Sequence, residues 1–146
     1  MLELSLPKVN FSIKKIQGKI KIFDIVRKKY VTLTPEEWVR QTFIHFLINQ
    51  KNISANFISI ESGLKYNRLK KRSDILVLNN SLKPYLLIEC KAPDIEINDK
   101  VIEQLSIYNS TIDAEIIGIS NGIIHYFWQK LNDSEYTRIQ DLPELM

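Results

Sequence analysis

Apolar and polar positions alternate in short runs through the first 33 residues, most clearly in Lys19-Ile20-Lys21-Ile22-Phe23 and Tyr30-Val31-Thr32-Leu33. A period of two predicts strands, so residues 1–33 read as two strands or a hairpin with a basic outer face, an N-terminal β extension. The period changes at Thr34-Pro35-Glu36-Glu37. Thr34 can cap a helix there, Pro35 suits its first position, and Glu37 takes the capping-box position. Val39, Phe43, Phe46 and Leu47 then share one stripe, which predicts a helix to Gln50 that buries that face. At 100° per residue Glu36 points toward the middle of the stripe and Glu37 toward its margin. An inward carboxylate is unusual, so Glu36 is singled out.

Three apolar segments follow: Asn56 to Ile60, Asp74 to Leu78, and Tyr85 to Cys90. Asn79-Asn80-Ser81 is a turn signal, so the last two are expected to pair as a hairpin covered on both faces. After Pro93 a second helix is predicted from Asn98 to Ser110, with Val101, Leu105, Tyr108 and Ile112 on one stripe. Glu115 to Ser120, the turn Asn121-Gly122, and Ile123 to Trp128 complete a C-terminal hairpin. The expected architecture is α/β with a mixed sheet, in one domain: a β extension (1–33), a core of order α-β-β-β-α-β-β (34–128), and a C-terminal tail (129–146).

Composition narrows the setting. The 146 residues are 45% apolar and 25% charged, which suits one globular domain and argues against disorder. No apolar run approaches the ~18 residues of a membrane span, and the N-terminus lacks a signal-peptide pattern, so a cytoplasmic protein without a membrane partner is expected. The single Cys90 and the two histidines, His45 and His125, exclude an internal disulfide and a Cys/His zinc cluster. Both histidines fall in apolar segments and are expected to be packed rather than catalytic. The net charge of +3 hides an asymmetry: residues 1–91 carry 17 Lys+Arg and 7 Asp+Glu, residues 92–146 carry 3 and 10. A basic half suits a polyanionic partner, although lysines on strand edges also block aggregation.

No Gly-Lys-Ser/Thr occurs, so these residues contain no phosphate-cradling loop for ATP. What remains are carboxylates at strand ends. Asp74 opens one core strand, and Glu89 and Lys91 end the next. Strand alternation sends Glu89 and Lys91 to one face and Cys90, with Leu86 and Ile88, to the other. In an antiparallel hairpin turning at Asn80, Asp74 lies near Glu89 and Lys91. Two adjacent carboxylates repel unless a cation separates them. Mg²⁺, with Mn²⁺ as a substitute, prefers oxygen ligands, and Asp74, Glu89 and the Cys90 carbonyl offer a partial shell. Lys91 beside it can offset charge on a phosphoryl group undergoing substitution. With ten Glu and fifteen Lys, about one Glu-x-Lys is expected by chance, so an ordinary surface ion pair remains the open alternative.

Glu36 on a leading helix, Ser73-Asp74, and Leu87-Ile88-Glu89-Cys90-Lys91 together resemble the PD-(D/E)xK nuclease superfamily. The strings from Thr34 to Gln41, Lys71 to Val77 and Leu87 to Pro93 are most similar to the N-terminal nuclease domain of type I restriction enzyme R subunits. The resemblance covers residues 30–128 and implies a restriction-endonuclease-like αβββαβ core. It also implies Asp74 and Glu89 as metal ligands, Lys91 as the catalytic lysine, and Glu36, with Glu37 as competitor, as the helix carboxylate. Gln104 and Tyr108 resemble the Gln-xxx-Tyr motif of related nucleases, with core filling by Tyr108 as the alternative. Ser73 stands where the superfamily often has Pro.

The implied function is a Mg²⁺-dependent DNA endonuclease domain for restriction or DNA processing. Lys65, Arg68, Lys70, Lys71 and Arg72 crowd the approach to Asp74 and are the expected phosphate contacts. No base-reading residues stand out, so weak sequence specificity is expected. A motor or specificity protein would have to be a separate partner, and a homodimer would supply two cuts. The alternatives are a catalytically silent nucleic-acid-binding or assembly module on the same fold, and an RNA-directed nuclease.

Overall fold

The computed structural model describes residues 3–62 and 73–144, excluding the side chains at 61, 62, 73 and 74. Two sheets share one long helix. The first has three strands, β1 (Ile13–Ile16), β2 (Lys19–Asp24) and β3 (Lys29–Thr32), in the order β1-β2-β3, all antiparallel. The expected extension is thus present with one strand more than a hairpin. Gln17 and Gly18, both at positive φ, close the first turn with two residues, as the right-handed strand twist favours.

Helix α1 (Pro35–Gln50) starts where the sequence signals it: Thr34 Oγ1 accepts the Glu37 N–H at 3.0 Å. A short 3₁₀ turn at Ala55–Phe57 then delays the next strand by two residues from its expected start. The second sheet has six strands: β4 (Ile58–Ser62), β5 (Ser73–Leu78), β6 (Pro84–Cys90), β7 (Ile116–Ser120), β8 (His125–Asn132) and β9 (Glu135–Ile139). Their spatial order follows the chain, and only β6 and β7 pair in parallel. Helix α2 (Asp99–Ile112) makes that crossover, capped by Asn98 Oδ1 on the Val101 N–H at 3.1 Å and ended by Asp113 in the left-handed region. The fold is the expected mixed α/β sheet.

Each face of the large sheet has its own helix. Val39, Phe43, Ile44 and Leu47 of α1 join Ile75, Val77, Leu86, Ile88, Cys90, Ile116 and Phe127 in one core. Leu105 of α2, with Val101, Tyr108 and Ile112 beside it, covers Leu87, Ile117 and Ile119 on the other. Both predicted helical stripes face a core: Val39, Phe43 and Leu47 are buried with Phe46 partly so, and Leu105 is buried with Val101, Tyr108 and Ile112 partly so. Gly118 sits where the first core is tightest: a Cβ there would stand 2.5 Å from Phe127 Cδ1 and 2.6 Å from Ile88 Cδ1.

Two boundaries differ from the sequence reading. Residues 129–146 are not a plain tail, because β8 extends to Asn132 and β9 adds a further edge strand. Tyr136 reaches the α2-side core and Arg138 lies 4.3 Å over the Tyr126 ring, which together anchor β9. The loop between β7 and β8 has four residues rather than the two of a tight turn, since Ser120 pairs with His125. Asn121 explains the difference: its Oδ1 accepts the N–H groups of Ile123 and Ile124, and its Nδ2 donates to the Ile95 carbonyl at 2.9 Å.

Gly118→Ala should destabilise the protein by about 1–3 kcal/mol, because ring and methyl groups on two strands must shift to admit the Cβ. Urea unfolding measures this, and an unchanged midpoint would contradict the packing described for that core.

Candidate active site

Strand β6 carries the candidate chemistry through its alternation. Leu86, Ile88 and Cys90 enter the α1-side core, Leu87 enters the α2-side core, and Glu89 follows Leu87 by two residues. Glu89 is 5% exposed. Lys91, just past the strand, holds its Nζ 3.1 Å from Glu89 Oε2. The Lys91 N–H donates to the Ser120 carbonyl at 2.8 Å, which fixes the backbone beyond the strand end against β7. The Cys90 side chain is buried on the opposite face. The expected division, Glu89 and Lys91 together with Cys90 apart, is therefore present.

Asp74 is described through its backbone alone. It precedes Ile75, whose partner on β6 is Ile88 in the last pair of that register, so Asp74 and Glu89 each lie one residue beyond that pair. On its other side Asp74 is paired with Glu61 of β4. Glu61 is a position the sequence reading passed over. A strand ending at Ile60 leaves Glu61 outside any element, and only the register reveals that Glu61 on β4 is paired with Asp74 on β5. Lys65, Arg68, Lys70, Lys71 and Arg72 lie outside the described residues. Among the described residues no group of three His, Cys, Asp or Glu side chains is arranged to hold a metal. The oxygen donors available on β6 are the Glu89 carboxylate and the Cys90 carbonyl, both hard ligands that suit Mg²⁺.

The helix carboxylates are arranged differently from the wheel. Glu36, expected to point inward, has a side chain 42% exposed and pairs with Arg40 Nη2 at 2.8 Å. Glu37 is the enclosed one, accepting from Arg40 Nη1 at 2.6 Å, Arg27 Nη2 at 2.9 Å and Gln41 Nε2 at 2.8 Å. The cause is a second buried face on α1. Glu37, Arg40 and Gln41 are all buried, and Arg27, which follows β2, reaches Glu37 across that face. A buried ionic face carries no apolar signal, so a stripe drawn from apolar residues alone leaves it out. Glu36 lies on the stripe but one turn before its first buried member, Val39.

Arg27 also holds Asp24, which is fully buried and accepts from the Val26 and Arg27 N–H groups at 2.8 and 3.0 Å. On α2, Gln104 is exposed and Tyr108 packs against the core that contains Leu87. The two share a helix side, with Tyr108 partly buried. Asn109 is the polar residue that α2 buries: it brackets Ala114 with hydrogen bonds at 2.8 and 3.1 Å and donates to Tyr136 Oη. Both histidines are partly buried, and burial lowers their pKa values. His125 Nδ1 lies 2.7 Å from Ser120 Oγ and its Nε2 2.8 Å from Ser5 Oγ, a structural bridge that ties the N-terminal segment to β7 and β8.

The sequence matches the family model described as Type I restriction enzyme R protein N terminus over residues 35–143. The chain belongs to that family. Comparisons with curated proteins and with solved structures give no match. The span matched by the R protein N-terminus family opens at the first residue of α1 and closes after β9, so it contains Glu36, Asp74, Glu89 and Lys91 and leaves the three-stranded sheet outside. None of the described helices is long and apolar enough to cross a membrane.

The network under α1 has a pH signature. Burial alone would raise the Asp24 carboxyl, but hydrogen bonds from the Arg27 side chain and from the Arg27 and Val26 N–H groups outweigh it and hold the pKa below its ordinary value. The folded protein then binds fewer protons than the unfolded chain near the ordinary Asp pKa of about 3.9. Its contribution is complete above that value and lost as pH falls through the lower folded pKa. Asp24→Asn should cost about 1.5–3 kcal/mol at neutral pH and flatten the loss of stability below about pH 4. Denaturation at a series of pH values reads both, and a variant with the wild-type acid slope would remove Asp24 from the account.

Proposed function

We propose that this domain is a divalent-metal-dependent nuclease acting on DNA phosphodiesters, with a restriction-related role and a site at the ends of β5 and β6. The observation that carries the reading is the Glu89–Lys91 pair, 3.1 Å across and largely withdrawn from water, with Asp74, like Glu89, one residue beyond the last β5–β6 pair. Family membership supports it, since the match spans every residue of the set.

The chain's own residues divide the work. Lys91 is 16% exposed, so its ammonium acts on a bound phosphate through a medium less polar than water. It donates to a non-bridging phosphate oxygen and offsets the charge that builds there as the nucleophile adds. Glu89 keeps Lys91 oriented toward the strand end. Glu89, Asp74 and the Cys90 carbonyl would hold Mg²⁺ or Mn²⁺, which when bound supplies a Lewis acid for the phosphoryl group. Of the two α1 carboxylates, Glu36 is the one open to solvent and so the one able to take part, whereas Glu37 is committed to two guanidinium groups. Gln104, exposed on α2, and the basic run from Lys65 to Arg72 are the proposed DNA contacts. A motor or specificity protein, and a second copy for double-strand cutting, are proposed partners.

A silent binding module on the same fold has one observation in its favour: Glu89 and Lys91 already satisfy each other. Supercoiled plasmid with Mg²⁺ or Mn²⁺ separates the two readings. Wild type should nick or linearise it, and Lys91→Ala and Asp74→Ala should each lower the rate by on the order of 10²-fold or more. Cleavage equal to wild type in both variants would remove this site, and an uncut plasmid at every metal concentration would favour the silent module.

A further inference from the structure

The β1–β2 hairpin is exposed in a way the rest of the fold is not. Every residue from Ser12 to Ile20 is exposed, on both faces of the ribbon. Ile13 is 52%, Ile16 36% and Ile20 53% exposed, so the tip has no core of its own. Lys14, Lys15, Lys19 and Lys21 fall within eight residues. No acidic residue lies between Glu3 and Asp24, and Asp24 is buried and bound to Arg27. Among the described ion pairs none engages these four lysines.

Edge protection does not account for them. Lysines on β1 would blunt an edge strand, but Lys19 and Lys21 are on β2, the central strand of its sheet. Lys14 and Lys21 are moreover directly opposite in the register, an arrangement of like charges that destabilises a sheet. A polyanion laid along the ribbon relieves that repulsion. An aromatic floor adjoins it: Lys14 Nζ stands 4.9 Å over the Tyr30 ring, and Phe23 meets Tyr30 edge-on at 5.2 Å.

The hairpin also stands close to the candidate site. Ile13 and Ile20 line one cavity of about 490 Å³ with Trp38, Pro93 and Asp94, and Pro93 follows Lys91 by two residues. A duplex held at Lys91 would therefore pass the ribbon.

We propose that the β1–β2 hairpin is a DNA-gripping ribbon whose four lysines contact phosphates of the duplex beside the cleavage site. The choice of DNA rests on the nuclease reading, whereas phosphate binding rests on the hairpin itself. The ribbon lies outside the span matched by the family. A two-stranded ribbon is narrow enough to follow a groove of the duplex.

The test is binding of a fluorescent DNA duplex to Lys91→Ala protein in chelator across a range of salt concentrations. Changing Lys14, Lys15, Lys19 and Lys21 together to Gln should lower the slope of log affinity against log salt by about 3.6, at about 0.9 per lost phosphate contact, and weaken binding at low salt by more than tenfold. The same four positions changed to Arg should keep the slope, and Lys83→Gln, at the far turn of the β5–β6 hairpin, should leave it unchanged. A wild-type slope in the Gln variant, or a fall of equal size per lysine in Lys83→Gln, overturns the proposal. Circular dichroism and the unfolding midpoint confirm that the variants fold. The two readings fail separately: an uncut plasmid with the slope difference intact defeats the nuclease alone, and a wild-type slope in the Gln variant defeats the ribbon whether or not plasmid is cut.

Discussion

The alternation of side chains along β6 is the constraint on which the candidate site depends. Five consecutive residues, Leu86 to Cys90, are buried, and both faces of the strand are covered by helices. A carboxylate placed in such a strand has to find a partner or lose its charge. Glu89 finds it in Lys91, two positions on and just beyond the strand end, where alternation and the bond from Lys91 N–H to Ser120 return the chain to the same side. A one-residue slip of β6 against β7 would send Glu89 into the α1-side core among Phe43 and Ile75. The hydrophobic cover of two helices thus fixes where the charge pair stands.

A second constraint acts on α1. The helix is held on one side by apolar contact with the large sheet and on the other by guanidinium and carboxylate groups: Arg40 with Glu36 and Glu37, and Arg27 with Glu37 and Asp24. Each guanidinium in this network has two carboxylate partners, so removing one carboxylate weakens the network without leaving an arginine unpaired, at a cost of about 1.5–3 kcal/mol. The same network takes Glu37 out of contention for chemistry and leaves Glu36 at the surface. The three-stranded sheet is thereby coupled to the family core, with its lysine hairpin facing solvent.

The apolar spacing made most of the fold legible. Both helices and the β5–β6 hairpin follow from periodicity, caps and the Asn79 turn, because each local signal agrees with its tertiary surroundings. What stayed hidden had polar causes. The buried face of α1 consists of Glu37, Arg40 and Gln41, which a hydrophobic wheel counts as exposed. Asn121 widened a loop whose Asn-Gly dipeptide suggests a tight turn. Strand β9 is too polar, Glu-Tyr-Thr-Arg-Ile, to announce itself without Arg138 stacking on Tyr126. In the site, Glu89 and Lys91 were readable from their two-residue spacing, while Glu61 becomes visible only through its register with Asp74. Only the inward direction expected of Glu36 differs, because no sequence signal places Arg27 over Glu37.

The central claim is that the carboxylates of residues 74 and 89 hold one divalent ion. Calorimetric titration of Mg²⁺ and Mn²⁺ into wild type, Asp74→Asn and Glu89→Gln measures it directly, without reference to cleavage. Wild type should show one saturable site that each substitution weakens by at least tenfold while the fold is kept. Equal affinity in all three proteins, or no saturable site in any, would contradict it.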